Sequence, residues 1–353
     1  GQPVRPQVAA LEKGAHVAVG TPGRVLDLLE RRALDTRQLA TVVLDEADRM
    51  LDMGFREDME RILSATPEHR QTVLFSATFP PDIEALSRAF QRRPVRVTIA
   101  AQAHEAPDIQ QRLYTCEPEQ KPALLLRLLR QYQPTSAVVF CNFKASVAGL
   151  ERTLRAGGVS CAGLQGDLEQ SERDRVMATF RNQSTRVLVA TDVAARGLDV
   201  EALDAVFNFE LPQQPELYVH RIGRTGRAGR AGLAVSLATR REAPKVEELE
   251  RFTGKALERA EPAPEASPPP ALEAPMATLF IDAGRKDKMR PGDILGALTG
   301  EAGGLAATDV GKIELHDRFA YVAVARAVAR RALEALREGR IKGRKHRVEP
   351  VRV

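Results

Sequence analysis

Cysteine is scarce in this chain: three occur in 353 residues, at positions 116, 141 and 161. The number is odd and the spacing is not that of a metal-ligand set. A disulfide framework and a zinc site are therefore not expected, and a reducing cytoplasm is the expected compartment. Cys141 and Cys161 read as small buried hydrophobes. Long apolar runs are also missing. None approaches the ~18 residues of a membrane span, and no signal-peptide pattern opens the chain, so no membrane role is expected. Net positive charge is absent from most of the molecule. From Met276 onward 16 Lys and Arg stand against 10 Asp and Glu, whereas the preceding 275 residues hold 36 against 37. A basic module of this kind is either a nucleic-acid binder or a solvated basic face.

What is present describes a globular protein. Apolar residues make up 43% and charged residues 28%, and the length suits two or three domains of ~100–200 residues each. Residues 261–275 carry six prolines and are expected to form a semi-rigid extended spacer. A weaker boundary falls near Ala100–Pro107, after strand-like Val95–Ile99. The divisions are thus 1–100, 107–258, a linker at 259–275, and a basic tail at 276–353. Before the spacer, strands are expected at His16–Val19, Thr41–Leu44, Thr72–Phe75, Ala137–Phe140, Val187–Ala190 and Ala205–Phe209. Helices such as Pro81–Gln91, Pro122–Tyr132 and Ser171–Phe180 lie between them. That alternation predicts parallel sheets covered by helices, an α/β fold.

The chemistry gathers where strands end. Val42-Val43-Leu44 is an apolar run of the kind buried on both faces of a sheet, and it delivers Asp45, Glu46 and Asp48 at its carboxyl end. Ligands of open α/β sheets bind there. Gly20-Thr21-Pro22-Gly23-Arg24, Ser76-Ala77-Thr78, Cys141-Asn142 and Thr191-Asp192 follow other expected strands. Two similar lobes facing a shared cleft would account for the pattern. Farther on, Arg221, Arg224 and Arg227 recur every three residues, with Gly223 and Gly226 between them. A helical turn would present the three along one side, and planar guanidinium groups suit phosphate oxygens.

In order and spacing, these motifs resemble the DEAD-box RNA helicases. The resemblance rests on Asp45-Glu46-Ala47-Asp48, Ser76-Ala77-Thr78, the run Ala190–Asp199 and the run His220–Arg227, with Thr21–Arg24 and Gln170–Arg173 as two further motifs. It covers residues 1 to about 255 and implies two RecA-like parallel-sheet lobes, the first incomplete, that use ATP and Mg²⁺. On that resemblance Asp45 would hold Mg²⁺ through water, and Glu46 would orient or deprotonate the attacking water. Asp48, Ser76 and Thr78 would form a relay between hydrolysis and lobe closure. Arg224 and Arg227 would reach the γ-phosphate, and Asp199 would contact the ribose. Thr21, Arg24, Gly166, Gln170, Arg173 and Thr191 would grip RNA through its backbone and 2′-hydroxyls.

One part of the family pattern is missing. No stretch matches Gly-x-x-x-x-Gly-Lys-Ser/Thr, the phosphate loop, nor the adenine-reading glutamine motif that precedes it. The expectation is an amino-terminal truncation on the order of 100 residues, leaving the chain alone without ATP turnover.

Residues 276–353 are expected to form a β-α-β-β-α-β domain, an α+β RRM-like fold. Its elements would be strand Thr278–Ile281, helix Pro291–Leu298, strands Lys312–Leu315 and Arg318–Val324, helix Val328–Glu338 and a basic final stretch, Ile341–Arg352. The period of two puts Phe319 and Tyr321 on one sheet face, and Phe280 shares a face with Thr278. Such aromatics either stack on bases or pack under another element. Arg340, Lys342, Arg344, Lys345 and Arg347 are candidates for phosphate contacts. Met276–Asp282, Arg290–Gly300 and Gly311-Lys312-Ile313 together resemble the DbpA-type RNA-binding domain of bacterial DEAD-box helicases. That implies tethering to a 23S rRNA hairpin in ribosomal precursor particles, by a monomer acting in large-subunit assembly. The alternatives are a cold-shock or general DEAD-box helicase, or an RNA-binding fragment without ATPase activity.

Overall fold

The computed structural model describes residues 3–98, 108–195, 203–226, 231–265, 267, 270–300 and 303–352. The chain divides into two units, residues 1–101 and 102–353.

In the first unit, helices α1 (Val4–Glu12) and α2 (Pro22–Glu30) precede strand β1 (Thr41–Leu44) and helices α3 (Ala47–Asp52) and α4 (Arg56–Ser64). Strand β2 (Gln71–Leu74) and helix α5 (Pro81–Phe90) follow. β1 and β2 pair in parallel, with Leu44 opposite Leu74. Leu44, Ala47, Met59, Leu63, Ile83 and Leu86 form one core, so α3, α4 and α5 all cover the sheet face to which Leu44 points. Val43 points the other way and is 55% exposed. Burial of β1 on both faces, as its apolar run predicts, is not observed. Nor do the expected strands His16–Val19 and Val95–Ile99 form: Val17, Val19, Val95 and Val97 are exposed, and Ile99 lies outside the described residues. Extended segments without a ladder partner leave their backbone groups to water.

The second unit opens with strand β3 (Ile109–Thr115), helix α6 (Lys121–Tyr132), strand β4 (Ala137–Cys141), helix α7 (Lys144–Ala156) and strand β5 (Cys161–Leu164). Helix α8 (Gln170–Arg181), strand β6 (Val187–Thr191) and the short helix α9 (Asp192–Ala195) come next. Strand β7 (Ala205–Asn208), helix α10 (Pro215–Ile222), strand β8 (Gly232–Ala238), helix α11 (Ala243–Thr253) and strand β9 (Glu258–Arg259) complete the lobe. The seven strands run parallel in the order β5-β6-β4-β7-β8-β3-β9. Every residue of β4 and β6 is buried. On β4, Ala137, Val139 and Cys141 enter the core shared with α6 and α7. Val138 and Phe140 enter the opposite core with α8 and α9. The two-residue period thus fills both faces of a three-layer sandwich. Burial drives the Cys161 thiol up to about 12, and all three cysteines are free.

The described parts of the proline-rich segment form no helix and do not hold the tail away from the lobe. Arg127 donates to the Ala263 carbonyl at 2.9 Å, Arg130 pairs with Glu265 at 2.8 Å, and Ser160 N–H donates to Leu272 O at 3.0 Å. Leu272 is buried in the lobe core. The tail follows with strand β10 (Met276–Ile281), helix α12 (Pro291–Thr299), strands β11 (Val310–Leu315) and β12 (Ala320–Ala325), helix α13 (Ala329–Glu338) and strand β13 (Val348–Pro350). Its antiparallel sheet has the order β11-β12-β10-β13. Leu279 and Ile281 pack with Ala320, Val322 and Val324 against Ile294, Leu298, Ala332 and Leu336 of α12 and α13. The opposite sheet face carries Thr278, Phe280 and Tyr321.

Candidate functional site

The acidic strand end is built by a sharp turn. Glu46 takes a left-handed backbone (φ 51°) between β1 and α3, reversing the chain so that three nearby carboxylates meet different environments. Asp45 is exposed, with Oδ1 accepting from the Glu46 N–H at 3.0 Å. Glu46 is exposed as well and pairs with Arg49 at 3.0 Å. Asp48 turns inward and is 6% exposed. Its Oδ2 accepts from the Thr78 hydroxyl at 2.8 Å and the Thr78 N–H at 2.9 Å, while Oδ1 accepts from Arg49 N–H. Ser76 Oγ accepts the Asp48 N–H at 3.3 Å and donates to Thr78 O at 2.6 Å. Burial alone would raise the Asp48 carboxyl, but the Thr78 and Arg49 donors outweigh it and hold the group below its ordinary value. The loop after β2 is thereby fastened to the acidic turn. Earlier in the unit, Thr21 occupies the N-cap position of α2, with Pro22 in the first turn, and Arg24 donates to Gln7 at 2.9 Å.

Exposed carboxylates at a strand end suit a hydrated divalent cation, and Asp45 and Glu46 meet that requirement. Among the described residues no group of three or more His, Cys, Asp or Glu forms a closed metal cage. The sequence contains no match to the Gly-x-x-x-x-Gly-Lys-Ser/Thr phosphate-loop pattern.

A second cluster occupies the carboxyl edge of the seven-stranded sheet. From β4 the chain proceeds to β5 and β6 on one side, and β7 and β8 lie on the other. Such a reversal opens a crevice in α/β sheets. Arg221 fills the space beside it. It is 2% exposed and forms a bidentate pair with Asp192 at 2.7 and 2.6 Å. It also donates to Asn142, Asn208 and the Glu210 carbonyl. Helix α10 ends at Ile222 and Gly223 caps it, so Arg224 does not continue the helical side that Arg221 begins, contrary to what the spacing predicts. Arg224 is half-buried beyond the helix end, and Arg227 and Asp199 lie outside the described residues. The anchoring roles of Asn142, Asp192 and Glu210 escape a sequence reading, although the polar residues after β4 and β6 mark their positions.

On the same edge, Gly166 follows β5 and is exposed. Gln170 and Arg173 occupy the first turns of α8, where Gln170 donates to Asp174 at 2.8 Å and Arg173 donates to the Ala194 carbonyl at 2.5 Å. Thr191 is 8% exposed and its hydroxyl accepts from Ala194 N–H. It shapes the turn after β6 instead of facing solvent.

In the tail, the aromatic face is not the open platform that sheet periodicity allows. Phe280, His316, Phe319 and Tyr321 pack on one another, with His316 stacked on Phe319 at 4.4 Å. Tyr321 is 5% exposed, and burial raises its hydroxyl while the Arg175 guanidinium of α8 opposes the rise. The end of the neighbouring lobe contacts that face at Thr278, and Tyr321 is closed to a base in this arrangement, while Phe280 and Phe319 stay half-exposed. The basic stretch is open instead. Ile341 and Arg344 exchange backbone hydrogen bonds across a turn in which Lys342 and Gly343 both have positive φ. This turn exposes Lys342, Arg344 and Lys345. Beside it, Gly292, Gly296, Arg340 and Lys342 border a groove of about 340 Å³ between α12 and the end of α13.

Comparison with known proteins places these sites in a family. Residues 1–86 match the DEAD/DEAH box helicase model, and residues 120–229 match the helicase conserved C-terminal domain. The chain belongs to the DEAD-box helicases. More narrowly it is of the DbpA type, since residues 278–350 match the DbpA RNA binding domain. It is 47% identical to the ATP-dependent RNA helicase DbpA of Escherichia coli (strain K12) over 348 residues, covering 99% of this chain and 76% of that protein. To the DEAD-box ATP-dependent RNA helicase CshA of Geobacillus kaustophilus (strain HTA426) it is 45% identical, covering 74% of this chain and 56% of that protein. Among solved structures, S. cerevisiae Dbp5 bound to RNA and ADP BeF3 is similar, with a TM-score of 0.63 and 33% identity, covering 70% of this chain and 66% of that one. The lobes are therefore RecA-like parallel-sheet folds followed by an RRM-like domain. Among the described residues no helix is long and apolar enough to cross a membrane.

Proposed function

We propose that this chain belongs to an RNA-dependent ATPase that opens short duplexes in 23S rRNA during large-subunit assembly, its tail choosing the target. The observation that carries the enzymatic reading is the divided acidic turn. Asp48 is bound inside by Ser76 and Thr78, while Asp45 and Glu46 stay open to solvent. With ATP present, bound Mg²⁺ would neutralise phosphate charge. Asp45 would hold it through water, and Glu46 would orient the attacking water and take its proton. Such positioning accounts for most of phosphoryl-transfer catalysis. A shift of the acidic turn passes through Asp48 to the Ser76–Thr78 loop. Arg224 and Arg227 would answer the γ-phosphate, and Asp199 the ribose. Thr21, Arg24, Gly166, Gln170 and Arg173 would hold RNA by its backbone. Likeness to DbpA across nearly the whole chain favours this target over that of a cold-shock or general helicase.

Because its sequence lacks a phosphate loop, the chain alone should show negligible ATP turnover. ATPase assays can be run on the chain and on a fusion that adds DbpA's own phosphate-loop segment. Turnover should appear only in the fusion and rise with RNA. There, Glu46→Gln should cut turnover on the order of 10³-fold while nucleotide binding persists. Loss of nucleotide binding in that variant would contradict the role given to Glu46.

A further inference from the structure

The tail is seated on the second lobe by contacts concentrated at one place, the carboxyl end of α8. Arg181, its last residue, makes a two-pronged pair with Glu314 of β11, at 3.0 Å on each prong. Lys312 joins Glu314 at 2.8 Å. In the turn just beyond, Ser184 shares a hydrogen bond with Thr278 of β10, and Asn182 donates to the same hydroxyl at 3.4 Å. Met276 N–H donates to Gln183 O. The spacer is fixed on the same side, with Arg186 donating to Glu273 O and Arg326 to Ala274 O. Thr278 and Asn182 are each 2% exposed, so these contacts lie in a closed interface and not at a wet rim. Glu314 would be raised by burial, yet Arg181 and Lys312 bring it down to about 2.

The other end of α8 carries Gln170 and Arg173, the candidate RNA contacts of the lobe. From Arg173 to Arg181 the helix rises about 12 Å, and a packed helix of three turns does not bend freely. One rigid rod thus connects the surface that grips RNA with the surface that carries the tail. Two binding modules held at a fixed separation bind a correctly spaced ligand jointly, and a loose linker weakens that coupling.

We propose that Arg181 and Glu314, supported by Ser184 and Thr278, are positioning residues that lock the tail to α8, so that RNA held by the tail runs directly to Gln170 and Arg173. The inference rests on the reading of the tail and of the α8 amino terminus as RNA-binding. It assigns Arg181 and Glu314 no contact with RNA.

The test uses the whole 353-residue chain and two kinds of RNA probe. One is a large-subunit rRNA hairpin; the others are the same hairpin with a 5′ or a 3′ single-stranded extension. In the unmodified chain one extension should tighten binding at least about tenfold. Glu314→Arg or Arg181→Glu should leave hairpin affinity within about twofold and bring the gain from the extension near unity, and the double charge swap should restore it. An undiminished gain in the single variants overturns the proposal, as does the lack of any gain in the unmodified chain. If a single variant misfolds and loses hairpin binding, the double swap decides: recovery of the gain supports the lock, and failure to recover overturns it. Failure of the unmodified chain to bind the hairpin removes the reading of the tail itself, and the inference with it.

Discussion

Arg221 spends all five of its N–H donors inside the protein. Asp192 accepts two, and Asn142, Asn208 and the Glu210 carbonyl accept one each. The guanidinium also lies 5.1 Å from the Phe140 ring centroid. With the side chain fully enclosed, its loss strands a carboxylate and two amides. Arg221→Ala should therefore destabilise the second lobe by about 3–5 kcal/mol. Arg221→Lys should recover little of this, because an ammonium cannot reproduce the fork. Urea unfolding followed by circular dichroism measures both variants, and a loss below about 1 kcal/mol for the alanine would contradict the anchoring role. Asp48 makes a parallel point in the first unit. It stands two residues from Glu46, yet it serves as an internal strut to Thr78 whereas Glu46 faces water.

At the scale of elements, the turn after α10 depends on a glycine in the next strand. A Cβ on Gly232, the first residue of β8, would lie 2.4 Å from Gly226 N and 2.8 Å from the Thr225 hydroxyl. Both are backbone-anchored: Thr225 is fully buried and Gly226 holds φ +70°. Gly232→Ala should push out the turn that carries Arg224, lowering lobe stability by about 1–3 kcal/mol. Hairpin binding through the tail should be unchanged. A thermal melt alongside a hairpin titration checks this, and an unshifted melt would contradict it. Central strands were legible in the sequence because both of their faces are buried: β4 is apolar throughout, and β6 is apolar up to its last residue, Thr191. Four others were not. β3 is broken by Gln110, Gln111 and Arg112; β5 is the short sequence Cys-Ala-Gly-Leu at the sheet edge; β8 opens on glycine and has a single β-branched residue, Val235, and β9 has two exposed charged residues. Their pairing comes from neighbours distant in sequence. The same holds for the arginine run, whose helical reading failed where Gly223 ends α10, and for Leu272, whose burial depends on a lobe already folded. By contrast, the period of two along β12 separates Phe319 and Tyr321 from Ala320, Val322 and Val324, and the last three enter the tail core.

At the scale of the whole molecule, two helicase segments and an RNA-binding domain occur in one chain. The excess positive charge is confined to the last. The motifs at strand ends made the class readable from sequence, since nucleotide and RNA chemistry requires those residues there. The burial of Thr278 on the tail's sheet face could not be read, because its partners Asn182 and Ser184 follow α8 in another domain. Target choice should accordingly reside in the tail's exposed basic turn and groove. The most direct test is a titration of the chain, at one fixed salt concentration, against a 23S rRNA hairpin and an unrelated hairpin of equal length. Preference for the ribosomal hairpin by at least about tenfold is expected. Equal affinity for the two, with the same salt slope, would contradict the account by leaving only sequence-independent phosphate attraction.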